Sequence, residues 1–291
     1  MRKFAEQLGF PEAPVLLPDG EFLFVEMDPA KGCITRFSKD GKSRSVVAKT
    51  GRPNGLALDR EGYVWVAETA MRALLRMSLD GKYDVIANSC DGEPFLFLND
   101  LALAPNGDIY LTDSGIAIDE LAPGGVLNPD YRKLRYDGRV FRIDPKTRGV
   151  ECIDRGMLFT NGVAFGPDGN LYVTETLSGN IYRYDYRAGR VTGKRRLFGN
   201  VIERFDPAEL KGPDGMKFGA DGNLYVAVFG QGNVTVLSPD GKVAGRISTQ
   251  GSMPTNLAFG PIADKKIYVT EVETGSVQIL DVDTDGFPLH V

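Results

Sequence analysis

Six polar side chains recur at the start of a repeated sequence unit, and together they could bind a cation. They are Glu12, Asn54, Asn99, Asn161, Asp214 and Asn256. Two carboxylates and several amide oxygens brought face to face would repel one another unless a cation lay among them. An all-oxygen set with two formal negative charges suits one hard divalent ion. The pattern favours Ca²⁺, with Mg²⁺, Mn²⁺ or Zn²⁺ as alternatives.

The unit that carries these side chains predicts the fold. Residues 160–176, TNGVAFGPDGNLYVTET, read as a short apolar strand, a Pro-Asp-Gly-Asn turn and a second alternating strand. Similar units begin near residues 11, 53, 98, 212 and 254, and further strand pairs flank turns such as KDGK, LDGK and PDGK. Six units of four antiparallel strands predict an all-β, six-bladed β-propeller.

One domain over residues 1–291 follows from this repeat. The expected blades are residues 11–50, 52–89, 97–156, 159–200, 212–250 and 254–291. The last outer strand could come from the C-terminal FPLHV or from the N-terminal residues. Insertions near residues 114–139 and 200–211 enlarge two connections. Both connections belong to the face on which the six opening residues lie, and long loops on one face of a rigid ring often carry function.

Inner strands line the central channel of a propeller, so their opening residues should meet at one mouth. Any single Asn-Gly pair could instead be a turn, or its side chain could simply fill the channel. The acids at Glu12 and Asp214 favour a site, because a purely structural repeat has no need of acids in place of Asn.

Composition excludes several classes of protein. The net charge is −5 with both signs interspersed, so no basic surface for nucleic acid is expected. No apolar run reaches the length of a membrane span, and the first ten residues lack the apolar core of an export signal.

Cys33, Cys90 and Cys152 are widely spaced, which favours reduced structural thiols and a cytoplasmic location. The single histidine, His290, leaves no Ser–His or Cys–His catalytic pair.

Four short motifs in order carry a resemblance to a known family. They are Glu12-Ala13-Pro14, Asn99-Asp100, Asn161-Gly162 and Pro213-Asp214-Gly215-Met216. The chain resembles the SMP-30/gluconolactonase/luciferin-regenerating-enzyme family from about Glu12 to the C-terminal tail. The resemblance implies a six-bladed propeller with one divalent cation in its channel, acting as a lactonase. It further implies that Glu12, Asn161 and Asp214 ligate the metal, while Asn99 is a fourth ligand or holds the substrate.

One position departs from the family pattern. Sugar-lactone members similar to this chain often carry a substrate-binding Arg two residues before the third-repeat Asn, where this chain has Phe97. An aromatic rim predicts a substrate less hydroxylated than an aldonolactone.

A metal in the channel would polarise an ester carbonyl and stabilise the oxyanion formed when water attacks. The base must then be a carboxylate, either Asp214 or Asp100. Asp113 ends a second strand on the same face and is a candidate substrate contact. Arg132, in the first insertion, could hold a substrate carboxylate, although a solvated charged loop is the simpler explanation for it. Tyr136, in the same insertion, could form a wall over the mouth.

The sequence therefore predicts a metal-dependent lactonase that opens a small-molecule lactone to a hydroxy acid. Two alternatives stay open, namely a phosphotriesterase-type hydrolase using the same metal and a non-catalytic propeller that binds a ligand or protein. The oligomeric state is not predicted.

Overall fold

Six four-stranded antiparallel sheets make up the fold of residues 2–289, which are the residues that the computed structural model describes. The predicted all-β, six-bladed β-propeller is confirmed. The inner strands are β2 (Pro11–Leu16), β6 (Pro53–Leu58), β12 (Leu98–Leu103), β16 (Thr160–Phe165), β20 (Gly212–Phe218) and β24 (Pro254–Phe259). Each inner strand contacts the inner strands of the two neighbouring blades, β24 contacts β2, and the ring is closed.

The other strands follow outward in the same order in every blade. The second strands are β3 (Phe22–Glu26), β7 (Val64–Glu68), β13 (Ile109–Asp113), β17 (Leu171–Glu175), β21 (Leu224–Phe229) and β25 (Lys266–Glu271). The third strands are β4 (Cys33–Phe37), β8 (Ala73–Met77), β14 (Gly138–Ile143), β18 (Asn180–Arg187), β22 (Asn233–Leu237) and β26 (Ser276–Asp281). The outer strands are β5 (Arg44–Lys49), β9 (Tyr83–Ala87), β15 (Val150–Met157), β19 (Arg190–Asn200), β23 (Val243–Ser248) and β1 (Arg2–Ala5).

The N-terminus completes the sixth blade, because β1 pairs antiparallel with β26. Of the two sources that the sequence left open, the N-terminal residues are therefore the correct one. The side chain of Thr255 also donates a hydrogen bond of 2.9 Å to the carbonyl of Pro11, which joins the last blade to the first. The described part of the C-terminal tail follows a different path, since Phe287 N–H donates to Phe218 O at 2.8 Å.

The hydrophobic core lies between the blades. Six clusters of buried side chains each draw on the facing sheets of two neighbouring blades. The only tryptophan, Trp65 on β7, is 2% exposed and packs in the cluster between the second and third blades. Because burial of apolar area between rigid sheets dominates folding, this arrangement leaves the inner strands free to present polar residues to the channel.

The first insertion contains what little helix the described residues have. It holds α1 (Ile118–Leu121) and two 3₁₀ turns, Pro123–Gly125 and Tyr131–Lys133. A short hairpin, β10 (Ser89–Cys90) with β11 (Glu93–Pro94), precedes the third blade. Within residues 2–289 no helix has the length and apolar character needed to cross a bilayer.

Candidate metal centre

Every inner strand is irregular at the point where it opens. The pairing register with the second strand shifts there in all six blades. A bulge of this kind redirects side chains out of the regular alternation of a strand. The opening residues are all buried, with exposed fractions of 9% or less: Glu12, Asn54, Asn99, Asn161, Asp214 and Asn256.

The strand register corrects one member of the predicted ring. In the fourth blade, Asn161 and Gly162 lie between the paired residues Thr160 and Val163. In the sixth blade the same two places, between Pro254 and Leu257, are filled by Thr255 and Asn256. Asn256 therefore stands one residue deeper than predicted, at the position that glycine takes in other blades.

A second layer of the channel thus contains Asp100 and Asn256, and glycines make room for them. A Cβ on Gly55 would lie 3.0 Å from Asp100 Oδ1 and 2.6 Å from the carbonyl of Asn99. A Cβ on Gly215 would lie 2.1 Å from Asn256 Cγ. These glycines lie inside strands rather than in turns, so the Asn-Gly and Asp-Gly pairs mark close approach between inner strands.

Hydroxyl groups on the neighbouring strand end fix the orientation of two opening amides. Asn99 Nδ2 donates to Ser114 Oγ at 3.1 Å, and Asn161 Nδ2 donates to Thr176 Oγ1 at 3.2 Å. Ser114 and Thr176 in turn donate to backbone carbonyls of the next blade. With the amide nitrogen held in this way, the oxygen of each Asn is the atom left for a ligand. Carbonyl oxygens of this type are good ligands for hard cations.

Glu12 is buried beside other acids. Its Oε2 accepts hydrogen bonds from Ala13 N at 2.6 Å and from Asn256 Nδ2 at 3.0 Å. Burial, reinforced by the charge of Asp100, raises the pKa of Glu12 to about 7. Ala13 adopts a left-handed φ of 45°, an unfavourable conformation for a residue with a Cβ, so the backbone beside Glu12 is strained.

Asp214 and Asp100 share this environment. Burial, together with the charge of Glu12, raises the pKa of Asp214 well above its ordinary value, while a hydrogen bond from Asn161 opposes the rise. Burial also raises the pKa of Asp100, whose Oδ2 is buried without a hydrogen-bond partner. A buried carboxylate oxygen without a hydrogen-bond partner destabilises the folded protein, because its lost hydration is not replaced.

The channel fits a divalent cation in charge and in ligand chemistry. Ionised Glu12, Asp100 and Asp214 carry three negative charges, and Lys217, which lies near enough to lower the pKa of Glu12 and Asp100, carries one positive charge. The balance of −2 equals the charge that one divalent ion would offset. Among residues 2–289 no group of three His, Cys, Asp or Glu side chains forms a metal cluster, so the amide oxygens are an essential part of the candidate ligand set.

Asp113 has a structural role instead of the predicted substrate contact. It is fully buried, pairs with Arg139 at 2.7 Å, and accepts hydrogen bonds from the backbone of Leu96, Phe97 and Gly115. Acids at the same place in other blades hold the preceding loop in the same manner: Glu26, Glu68, Glu175 and Glu271. A repeated acid that satisfies backbone N–H groups is part of the scaffold.

Arg132 joins the two insertions to each other. Its guanidinium donates to the carbonyls of Leu177, Pro207 and Glu209 at 2.9–3.2 Å, and it lies 5.2 Å from the ring centre of Phe205. These bonds give Arg132 a structural role over the mouth, and its contact with a substrate carboxylate stays a prediction.

The aromatic residues predicted at the mouth form a small core beneath the first insertion. Phe97 is only 4% exposed and packs edge-on against Phe159, with ring centres 5.8 Å apart. Tyr136 also packs against Phe159, and its hydroxyl donates to the carbonyl of Tyr131 at 2.8 Å. Phe97 therefore belongs to the core beneath the first insertion. It can affect the substrate surface only by positioning Phe159, which is half-buried.

Sequence reasoning missed three polar residues that the structure brings to the channel. Ser114 and Thr176 end the runs LTDS and VTET, so a hydroxyl after the acid of a second strand was the available signal. Lys217 was also detectable, because the corresponding positions in the other blades are apolar. His290, the one histidine in the sequence, lies outside the described residues.

Taken together, these features define a class: a closed six-bladed propeller with carboxylate and amide oxygens gathered at one mouth of its channel. The sequence model of the SMP-30/Gluconolactonase/LRE-like region matches residues 10–273. The chain belongs to this family, and the resemblance found in its motifs is confirmed.

Two relatives and one solved structure illustrate the similarity. A gluconolactonase of Zymomonas mobilis is 28% identical over 88% of this chain and 74% of its own length. Diisopropyl-fluorophosphatase of Loligo vulgaris is 28% identical over 98% of this chain and 92% of its own. The structure of a calcium-binding protein, regucalcin, from Agrobacterium tumefaciens is 18% identical, covers both chains fully, and superimposes with a TM-score of 0.78, which supports the fold.

Proposed function

We propose that this protein is a divalent-metal-dependent lactonase, a carboxylic ester hydrolase that opens a lactone ring to a hydroxy acid. The observation that carries the proposal is the set of buried acids, Glu12, Asp100 and Asp214. They lie beside the amides of Asn99 and Asn161, whose oxygens accept no hydrogen bond from the described residues. Membership of a family with a gluconolactonase among its relatives supports the choice of lactones over other esters.

Glu12, Asn161 and Asp214 would hold the cation, with Asn99 as a fourth ligand or as a contact to the substrate. A divalent ion bound there would polarise the ester carbonyl and stabilise the negative charge that develops on its oxygen. The chain contributes rigidity, because Ser114 and Thr176 fix the two amides and each inner strand is held by its neighbours. Ca²⁺ suits a site of carboxylate and amide oxygens, and Mg²⁺, Mn²⁺ and Zn²⁺ are the alternatives to be compared.

Asp214 is the proposed general base, and Asp100 is the alternative. A carboxylate whose pKa is raised by burial accepts a proton more readily near neutral pH than an exposed one. Water adds to the carbonyl carbon, and its proton passes to the carboxylate. The bond between that carbon and the ring oxygen then breaks, and the ring oxygen takes up a proton, so one lactone and one water give one hydroxy acid.

We further propose that the substrate is less hydroxylated than an aldonolactone. Phe97 and Phe159 place an aromatic cluster where a polar, sugar-binding rim would need hydrogen-bond donors. Leu158, which is 47% exposed, adds apolar surface next to Phe159. A hydrophobic wall favours alkyl-substituted rings, because unsatisfied substrate hydroxyls would lose their hydration against it.

A lactone panel tests the proposal. Hydrolysis of gluconolactone and of alkyl-substituted γ- and δ-lactones is followed by acid release in three samples: untreated, treated with a chelator, and reloaded with each divalent ion. We expect turnover that the chelator abolishes and one of the ions restores, with the alkyl lactones preferred. Failure of every lactone, or turnover indifferent to the chelator, would overturn the proposal.

A phosphotriesterase-type hydrolase is the second candidate. It is favoured by the similarity to diisopropyl-fluorophosphatase, which extends over 98% of this chain. The same polarising site could act on a phosphoryl oxygen, so the two activities are separated by comparing rates on a fluorophosphate and on the lactones. A non-catalytic propeller would hydrolyse neither. The small-molecule substrate is thus part of the proposal, and the cytoplasmic location stays a prediction from the sequence.

A further inference from the structure

The opposite mouth of the channel opens into a second, apolar cavity of about 580 Å³. It is bounded by the ends of the inner strands and by residues 285–289 of the C-terminal tail. We propose that this cavity, called the apolar bowl below, binds an amphiphilic carboxylate such as a medium-chain fatty acid, with its head group at Lys217 and its chain among the apolar strand ends. This site goes beyond the proposed function, because it lies on the other face from the candidate metal ligands and the insertions.

Lys217 breaks a pattern of small apolar residues. The strand register aligns Lys217 with an alanine in four of the other five blades, each opposite an aromatic residue of the second strand: Ala57, Ala102, Ala164 and Ala258. In the first blade the same position holds Val15, opposite Leu23. Alanine is enough to fill this position, so packing alone gives no reason for a lysine. A cation placed once in a ring of methyl groups is expected where a ligand supplies the opposite charge.

The ammonium group of Lys217 is available to such a ligand. Lys217 is half-buried and lines the bowl, yet within residues 2–289 its Nζ has neither a hydrogen bond nor a salt bridge within 4.0 Å. The positive charge of Lys217 lowers the pKa of Glu12 and of Asp100, but neither carboxylate forms an ion pair with it.

The remainder of the lining fits an alkyl chain. Lys217 and Asp285 are the charged members of the described lining, and Asp285 Oδ1 already accepts a hydrogen bond of 2.9 Å from Ala263 N. The other lining residues are apolar, glycine or proline, with Leu58, Phe218 and Phe259 among the larger ones. The volume lies within the range of roughly 300–1,000 Å³ that small-molecule sites have.

Calorimetric titration of the calcium-loaded full chain with decanoate tests the proposal, with decanamide as the uncharged analogue of equal length. We expect decanoate to bind at least tenfold more tightly than decanamide, since a hydrogen bond to a charged group is worth that much. Lys217→Met should remove this preference and leave decanamide binding unchanged. Lys242→Met, at a lysine of the same blade that is 82% exposed and paired with Asp240, is the matched control and should behave as wild type.

A blocking variant locates the ligand. Ala102→Phe places a ring in the bowl and should abolish binding of both ligands, while circular dichroism verifies that each variant is folded. Equal affinity of the wild type for decanoate and decanamide would overturn the proposal, and so would undiminished decanoate binding in Lys217→Met. Because no lactone is involved, failure here is distinct from failure of the proposed function.

Discussion

Replacing Glu12 with Gln should make the metal-free protein more stable while weakening its hold on a cation. Gln keeps the shape of Glu, and its amide oxygen can still accept the hydrogen bonds from Ala13 N and Asn256 Nδ2. What it removes is a buried charge that burial and Asp100 disfavour. The same residue thus opposes folding when the channel is empty and attracts a cation when one is present.

The magnitude follows from the pKa of Glu12. Folding raises this pKa from its ordinary value of 4.5 to about 7, which corresponds to about 3 kcal/mol once the group is fully ionised in the folded chain. Because the folded-state pKa is the higher one, the carboxyl group does not oppose folding below about pH 4.5. Stability is then lost as the pH rises through about 7. The Gln variant should therefore gain most at alkaline pH.

Urea unfolding in the presence of a chelator measures this effect at about pH 5 and about pH 8. We expect Glu12→Gln to raise the free energy of unfolding by about 3 kcal/mol at the higher pH and by about 1 kcal/mol at the lower. Adding Ca²⁺ should reverse the order, since bound ligand stabilises only the wild type appreciably. Glu203→Gln, an exposed acid in the second insertion, is the control and should show neither change. A metal-free variant that is less stable than wild type at pH 8 would refute the reasoning.

Three further variants examine the roles assigned to individual side chains. Asp214→Asn should abolish lactone turnover and reduce calorimetric Ca²⁺ affinity by at least about 100-fold, as loss of a charged ligand implies, with an unchanged circular dichroism spectrum; full activity would show that the ligand assignment is wrong. Ser114→Ala frees the amide of Asn99 and should weaken Ca²⁺ binding by roughly 10- to 100-fold, and an unaltered affinity would remove Asn99 from the ligand set. Arg132→Gln removes the hydrogen bonds that join the two insertions, so we expect a higher KM, a smaller change in kcat and faster proteolysis within residues 121–134. Unchanged KM and proteolysis would contradict the structural role assigned to Arg132.

The ring architecture was accessible to sequence reasoning because its causes are local. Each repeat combines turn residues with strands of alternating polarity, and both signals are contained within about twenty residues. Closure by β1 was not accessible, since the pairing of Arg2–Ala5 with β26 joins the two ends of the chain and no local pattern encodes it. Contacts of this kind are decided by the geometry of the completed ring.

The candidate site was predictable in its residue types and less so in its details. Glu12, Asn161 and Asp214 are candidates from the sequence because acids and amides stand out in a repeating pattern, and their role as ligands stays a prediction. Asn256 lies one residue deeper than the sequence predicts, because the sixth repeat has Thr-Asn where other repeats have Asn-Gly or Asp-Gly, and residue type alone does not reveal this offset. Asp113 was misjudged for a different reason: its partners are backbone N–H groups of a preceding loop, which sequence patterns do not reveal.

The most direct measurement is an anomalous difference map from crystals of this protein grown with Ca²⁺. We predict one strong peak in the channel among Glu12, Asn161 and Asp214, with oxygen ligands at about 2.3–2.6 Å. A channel that holds no ion at saturating Ca²⁺, or an ion bound away from these three side chains, would contradict this prediction.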